Sequence, residues 1–273
     1  MPFVGANIGV LVTNRAPNVQ NTATVLAWLL WAVTIFAVAV LHPISLTVLR
    51  MTTPTVAIFL IAVLLDDLSV SQNIISALLS IAVLLLSFNA DIGNLFVQAS
   101  AYGDEKRFLL RPPVVLIAPV VLVCTLLMTL TVFSPLFIAA KNLPVGLTCA
   151  VLAMIGFWFF ARRIHQFSRR WFVFVPAGFV VHDETLLGTN LMIRKSEMSE
   201  VKFAKQDTQA ADLTALTWGV PLELQFTAPQ DVTLTRISSR YLKSLDAIHA
   251  SSILIAPSRP GAVIRHASIK TNS

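Results

Sequence analysis

The sequence predicts a membrane α-helical bundle of about five transmembrane helices, followed by a small all-β barrel or sandwich that closes with a short C-terminal helix. Three observations carry this prediction. Hydrophobic residues make up 56% of the 273-residue chain and charged residues only 12%, with a mean hydropathy of +0.76, whereas an ordinary soluble domain is about 25% charged. Long apolar runs fill residues 1–161 and stop at the pair Arg162-Arg163. Beyond that point the runs shorten into aromatic and β-branched stretches separated by turn residues, the pattern of strands.

A helix needs about 20 mostly apolar residues to cross the hydrocarbon layer, and five segments qualify: 24–42, 46–65, 70–88, 113–133 and 143–161. The first carries Trp28 and Trp31 and, with no cleavage pattern after it, is expected to remain as an anchor. The second works only if Arg50 extends its head to the surface. In the fourth, Pro119 removes a backbone hydrogen bond that a neighbouring helix or a local kink must answer. The fifth ends in Phe157, Trp158, Phe159 and Phe160, an aromatic cluster suited to a membrane interface. Cys124 and Cys149 lie in apolar runs and read as small buried hydrophobes rather than a disulfide.

Basic residues in short loops accumulate on the cytoplasmic side. With the N-terminus outside, the inner segments hold Arg50, then Lys106, Arg107 and Arg111, then Arg162, Arg163, Arg169 and Arg170. The outer segments hold Arg15, Lys141 and the acidic pair Asp66 and Asp67. A four-span chain without the second helix would instead need its N-terminus inside. Either way the basic second part faces the cytoplasm at the cell membrane, with residues 162–170 as a juxtamembrane link and 171–273 as the β-domain.

The internal loop 89–112, "NADIGNLFVQASAYGDEKRFLLRP", mixes acids, bases, amides and aromatics. Asp91, Tyr102, Asp104 and Glu105 are its candidate functional residues, since carboxylates near a tuned pKa can do acid–base work. The favoured reading is an amphipathic interfacial segment with Phe96, Tyr102 and Phe108 dipping toward lipid. Docking onto the cytosolic domain is its functional variant.

Eight strand candidates follow: "RWFVFVP", "GFVVHD", "NLMIRK", "SEVKFA", "ALTWGV", "LELQFTA", "DVTLTRI" and "SSILIAP". Turns are expected at Pro176-Ala177-Gly178, at residues 187–190 and at Ala228-Pro229-Gln230, which suits an antiparallel meander. "SRPGAVIRHA" reads as a helix start with Ser258 as N-cap and Pro260 in the first turn. The motifs "YGDEKRF", "WFVFVPAGFVVHD" and "APSRPGAV" resemble those of a group of uncharacterised actinobacterial multi-pass membrane proteins, and the strand run with its closing helix resembles bacterial pleckstrin-homology-like domains. The resemblance implies a PH-like cytosolic domain on a membrane anchor and implies no reaction.

His182-Asp183-Glu184 is the one place where histidine and carboxylates adjoin, but neighbours on a strand point to opposite faces, so a solvated hairpin end is expected rather than a metal site. The cations Lys106, Arg107, Arg111, Arg162, Arg163, Arg169 and Arg170 are the candidate lipid- or partner-binding set, since juxtamembrane Lys and Arg contribute about 1 kcal/mol each at an anionic leaflet. No glycine-rich phosphate loop, nucleophile elbow or His-Glu-His helix is present, so neither cofactor nor metal is expected, and the basic excess is explained by the membrane rather than nucleic acid. The sequence therefore points to a non-enzymatic membrane protein that offers its β-domain to anionic headgroups or to another membrane or membrane-adjacent protein, as an accessory or scaffold subunit. A transporter or membrane enzyme acting on lipid-linked substrates through loop 89–112 is the alternative.

Overall fold

The computed structural model describes residues 12–64 and 70–271. The expected acidic pair Asp66 and Asp67 lies outside the described residues. The chain divides into two units, one of residues 1–89 and 120–164 and the other of residues 90–119 and 165–273. The division at 164/165 falls within the expected link 162–170, and the second unit also takes residues 90–119 from ahead of the last two long helices.

In the first unit lie the helices α1 (Pro17–Ala39), α2 (Pro43–Leu64) and α3 (Val70–Ser87), and most of α5 (Val114–Ala139) and α6 (Leu143–Ser168). Among the described residues three helices, α1, α5 and α6, are long and apolar enough to cross a membrane. A fourth is reached if α3 from Ile74 and the next helix, α4 (Ala90–Gln98), count as one broken span. These helices leave large apolar side chains such as Phe36, Leu122, Met154 and Trp158 exposed, as a lipid-facing surface requires.

Small residues bring α5 and α6 together. A Cβ on Gly156 would stand 2.4 Å from the Leu127 side chain, and the Ser134 hydroxyl donates to the Gly146 carbonyl at 3.0 Å. Close approach at a small residue and an interhelical hydrogen bond are the usual adhesives inside a bilayer. Met51, Cys124, Leu127 and Ile164 form a buried cluster beside them. Arg50 reaches the end of α3, where its Nε donates to the Ser87 carbonyl at 3.4 Å and its guanidinium lies over the Phe88 ring. A cation thus meets an unsatisfied carbonyl at the end of α3.

The second unit contains two sheets. The first has the order β1 (Lys106–Leu109), β2 (Trp171–Val175), β3 (Gly178–His182), β4 (Leu191–Arg194), all antiparallel. The second has the order β5 (Met198–Phe203), β7 (Leu222–Thr233), β8 (Ala247–Ile255), β6 (Ala211–Asp212), with β6 parallel to β8. Phe108, Phe172, Phe174, Val181 and Ile193 of the first sheet and Leu222, Leu224, Val232, Ile253 and Ile255 of the second share one core. Val263 and Ala267 of the closing helix α8 (Pro260–Thr271) complete it, and His266 meets Phe174 edge-on at 4.7 Å. Alternate residues of a strand face alternate sides, so "WFVFV" sends Phe172 and Phe174 inward and "GFVVH" packs Phe179 against them.

The β2–β3 hairpin turns at Pro176-Ala177, as expected, and Gly178 is required there because a Cβ would stand 2.1 Å from the Ile193 carbonyl oxygen. The expected turn at Ala228-Pro229-Gln230 is instead an irregularity inside the long strand β7, whose register shifts between Gln225 and Gln230. "ALTWGV" is a loop, not a strand, and a short helix α7 (Arg236–Leu242) connects β7 to β8. Ser258 is not the cap of α8. The carbonyl of Arg259 accepts from Ala262 and Val263 N–H groups, while the Ser258 hydroxyl accepts from Asn94 at 3.1 Å.

Candidate functional site

Two of the three aromatics of loop 89–112 expected to dip toward lipid, Phe96 and Phe108, do not do so. Phe96 and Phe108 are buried within the domain, Phe108 in its core, and only Tyr102 stands out into solvent. The segment folds as helix α4 and edge strand β1, and the reason is visible in its amides. The outward-facing N–H groups of β1 would be orphaned at the sheet edge. Instead Arg107 N–H donates to Gln98 Oε1 at 2.9 Å and Leu109 N–H donates to Asn94 Oδ1 at 2.8 Å. Four helical residues rise about 6 Å and two strand residues about 6.6 Å, so amides at 94 and 98 match every second N–H of the strand.

The same segment ties the sheets together. Leu110 N–H donates to the Arg170 carbonyl, Arg111 N–H to the Ala256 carbonyl and Ser258 N–H to the Leu109 carbonyl, at 2.9, 2.7 and 2.8 Å. Residues 109–111 therefore run between the start of β2 and the exit of β8. Asp91 adds an ion pair to Arg259 just ahead of α8, at 2.7 Å from Nε.

Arg170 lies at the centre of this junction and is 1% exposed. Its Nε and Nη2 donate to Asp183 Oδ1 and Oδ2 at 2.8 and 2.7 Å, and its Nη1 donates to the Arg111 carbonyl at 2.6 Å. Asp183, 3% exposed, also accepts from the Thr185 and Leu186 N–H groups. A buried charge is tolerated when it is paired and its remaining sites are hydrogen-bonded, and both conditions are met. The expected solvated hairpin end at Asp183 is thus a buried anchor.

A second cluster lines the outer face of the first sheet. The Arg107 guanidinium stands 5.2 Å from the Trp171 ring centroid, and Trp171 stacks on His182 at 4.8 Å. Arg107 also holds Glu105 at 2.7 Å and the Ser100 hydroxyl at 3.0 Å, and the Arg107 hydrogen bond, followed by the Tyr102 N–H, keeps the Glu105 carboxyl below its ordinary range. Arg169 pairs with Glu184 at 3.1 Å. Burial, followed by the Arg169 charge, pushes the His182 imidazole below its ordinary value. Its Nε2 has no hydrogen-bond partner among the described residues, with Glu184 3.8 Å away.

Of the seven cations expected to meet lipid or a partner, Arg170 is buried and Arg107, Arg111 and Arg169 are engaged within the domain, Arg111 through the Trp218 carbonyl at 2.6 Å. Lys106, Arg162 and Arg163 are exposed. The last two ride on α6, which continues to Ser168, so the expected link 162–170 is helix for most of its length. The carboxylates of loop 89–112 have separate surroundings: Asp91 is held by Arg259 and Glu105 by Arg107, while Asp104 is exposed. Among the described residues no group of three His, Cys, Asp or Glu side chains could hold a metal ion.

Sequence reasoning missed Asn94, Gln98 and the Arg170–Asp183 pair. The first two carried a signal, amides four apart on a short helix just ahead of a strand-like "KRFLL". Comparison with protein families, with curated proteins and with solved structures finds no match.

Proposed function

We propose that this is a non-enzymatic integral membrane protein of the cell membrane that presents its β-domain to a membrane-bound or membrane-adjacent protein, as an accessory or scaffold subunit. The observation that carries the reading is the attachment of the domain to both ends of one helical hairpin. Strand β1 leads through Leu110–Pro113 into α5, and α6 returns through Arg169 into β2, with β1 and β2 paired from Lys106↔Phe174 to Leu109↔Trp171. A domain stitched at two points to a helical hairpin cannot roam, so whatever it binds must come to the bilayer surface.

Paired strands must lie on one side of the membrane, which accords with two crossings by α5 and α6. The placement of Arg111, Arg162 and Arg163 at the domain ends of these helices favours the cytoplasm for that side. Five spans, with α2 and α3 as the second and third, leave the N-terminus outside. A PH-like identity for the domain fits two sheets around one core with a closing helix.

Binding a protein is favoured over binding headgroups because four of the seven candidate cations have partners inside the domain. The polar clusters serve assembly, which supports a binding role over catalysis. The test is extraction of the tagged full-length chain in native lipid particles, followed by mass spectrometry. A co-purifying membrane protein in fixed ratio is the expected result. A solitary chain enriched in one lipid or metabolite would overturn the reading and return attention to a transporter or lipid-linked enzyme.

A further inference from the structure

Between β6 and β7 the chain forms a loop, residues 213–221, with a rigid root and an apolar tip. Leu213, Thr214 and Ala215 are buried, whereas Leu216, Trp218 and Val220 are each more than half exposed. The root is held by Asp212, which accepts from the Thr214 N–H and hydroxyl at 2.8 and 2.6 Å and from the Tyr241 hydroxyl at 2.8 Å. Ala215 and Leu216 are both left-handed, at φ +49° and +62°, a conformation that ordinary residues keep only where the surroundings enforce it. The loop is built to hold three apolar side chains outward.

Where the tip sits follows from one hydrogen bond. The N–H of Val114, the first residue of α5, donates to the Leu216 carbonyl at 2.9 Å. Three residues ahead of Val114, Arg111 donates to the Trp218 carbonyl at 2.6 Å, and a Cβ on Gly219 would stand 2.6 Å from the Arg111 Nη1. The loop is therefore fastened to the end of a helix that is long and apolar enough to span a bilayer. A backbone bonded to the first residue of a span lies at the water–lipid boundary, where Trp is favoured because one end of its ring is apolar and the other can be wet.

We propose that residues 213–221 form a membrane wedge, in which Leu216, Trp218 and Val220 enter the lipid layer beside the start of α5. The occupant of this apolar patch is the bilayer itself, at the boundary of headgroups and acyl chains. The wedge gives the domain an attachment to the bilayer besides its three covalent links to the long helices. This goes beyond partner binding and does not depend on it, since a chain with no protein partner would still carry the wedge.

The test uses the purified full-length chain in phosphatidylcholine–phosphatidylglycerol vesicles, with and without brominated acyl chains. Subtracting the emission of Trp218→Phe from that of the native chain isolates Trp218, since Trp28, Trp31, Trp158 and Trp171 are common to both. The expected difference spectrum loses at least about half its intensity in brominated vesicles and is insensitive to aqueous iodide. Quenching by iodide without quenching by brominated lipid would place the tip in water and overturn the wedge. Insensitivity to both would mean that protein covers it, and would overturn it equally. Val220→Trp, which adds an emitter at the neighbouring position, is read with the same two quenchers and keeps the test open if Trp218→Phe does not fold.

Discussion

Arg170 and Asp183 form a bidentate ion pair that lies almost wholly out of water and joins the first residue ahead of β2 to the first residue beyond β3. Removing one member leaves the other charge buried and unpaired, which costs about 3–5 kcal/mol. Arg170→Met and Asp183→Leu should each lower the unfolding temperature of the reconstituted chain sharply, while the double variant should recover much of the loss. A double variant no better than either single one would show that the pair's charge complementarity is not what the fold depends on.

The amides of α4 should protect the edge of β1. Asn94→Ala and Gln98→Ala each leave one strand N–H without its acceptor, at about 1–3 kcal/mol for a buried donor. Hydrogen exchange read by mass spectrometry should quicken at Leu109 in the first variant and at Arg107 in the second. Unchanged exchange at both amides would mean that water or another group protects that edge.

His182 should make the domain acid-sensitive. Its folded-state value lies below the 6.5 of a free imidazole, through burial first and the Arg169 charge second, against the opposing pull of Asn190, Glu184 and Asp183. A proton therefore binds the unfolded chain more readily. The stability is fully present above pH 6.5 and falls as the pH drops through 6.5 toward the folded value, then levels. Thermal unfolding scans between pH 8 and pH 5 should show this decline, and His182→Gln should flatten it.

Gly156 should be indispensable to the α5–α6 hairpin. A Cβ there would come within 2.4 Å of a Leu127 methyl carbon. Gly156→Val should force the helices apart, with a loss on the order of 2 kcal/mol. Pairing it with Leu127→Ala, which clears the space, should restore part of the folded level in a detergent thermal-stability assay.

Much of this architecture is legible in the sequence, and what is not has a physical reason. The long apolar runs at 24–42, 113–133 and 143–161 announce α1, α5 and α6 because a bilayer demands that length and composition. "WFVFVPAGFVVHD" announces the β2–β3 hairpin because turn residues fall between alternating runs. Strand β1 is hidden since four residues give no period to read, and its partner lies 62 residues away across two membrane helices, at Leu109↔Trp171. Arg170 misleads for a related reason. In a run of juxtamembrane arginines its charge reads as topology, and only the partner Asp183, distant by 13 positions, makes it an interior residue. The exposed or engaged state of the other cations is likewise a matter of tertiary neighbours.

The interrupted order of the β-domain has a consequence for how the chain is made. Helix α4 and strand β1 leave the ribosome first and must wait, unpaired on one edge, while the hairpin α5–α6 enters the bilayer. Only a hairpin that goes out and comes back delivers β2 to the compartment where β1 is waiting. A hairpin that inserts one helix alone strands the two on opposite sides, and the core of Phe108, Phe172 and Phe174 cannot close. The core of the domain can therefore close only after both helices of the hairpin have been made and β2 has followed them out.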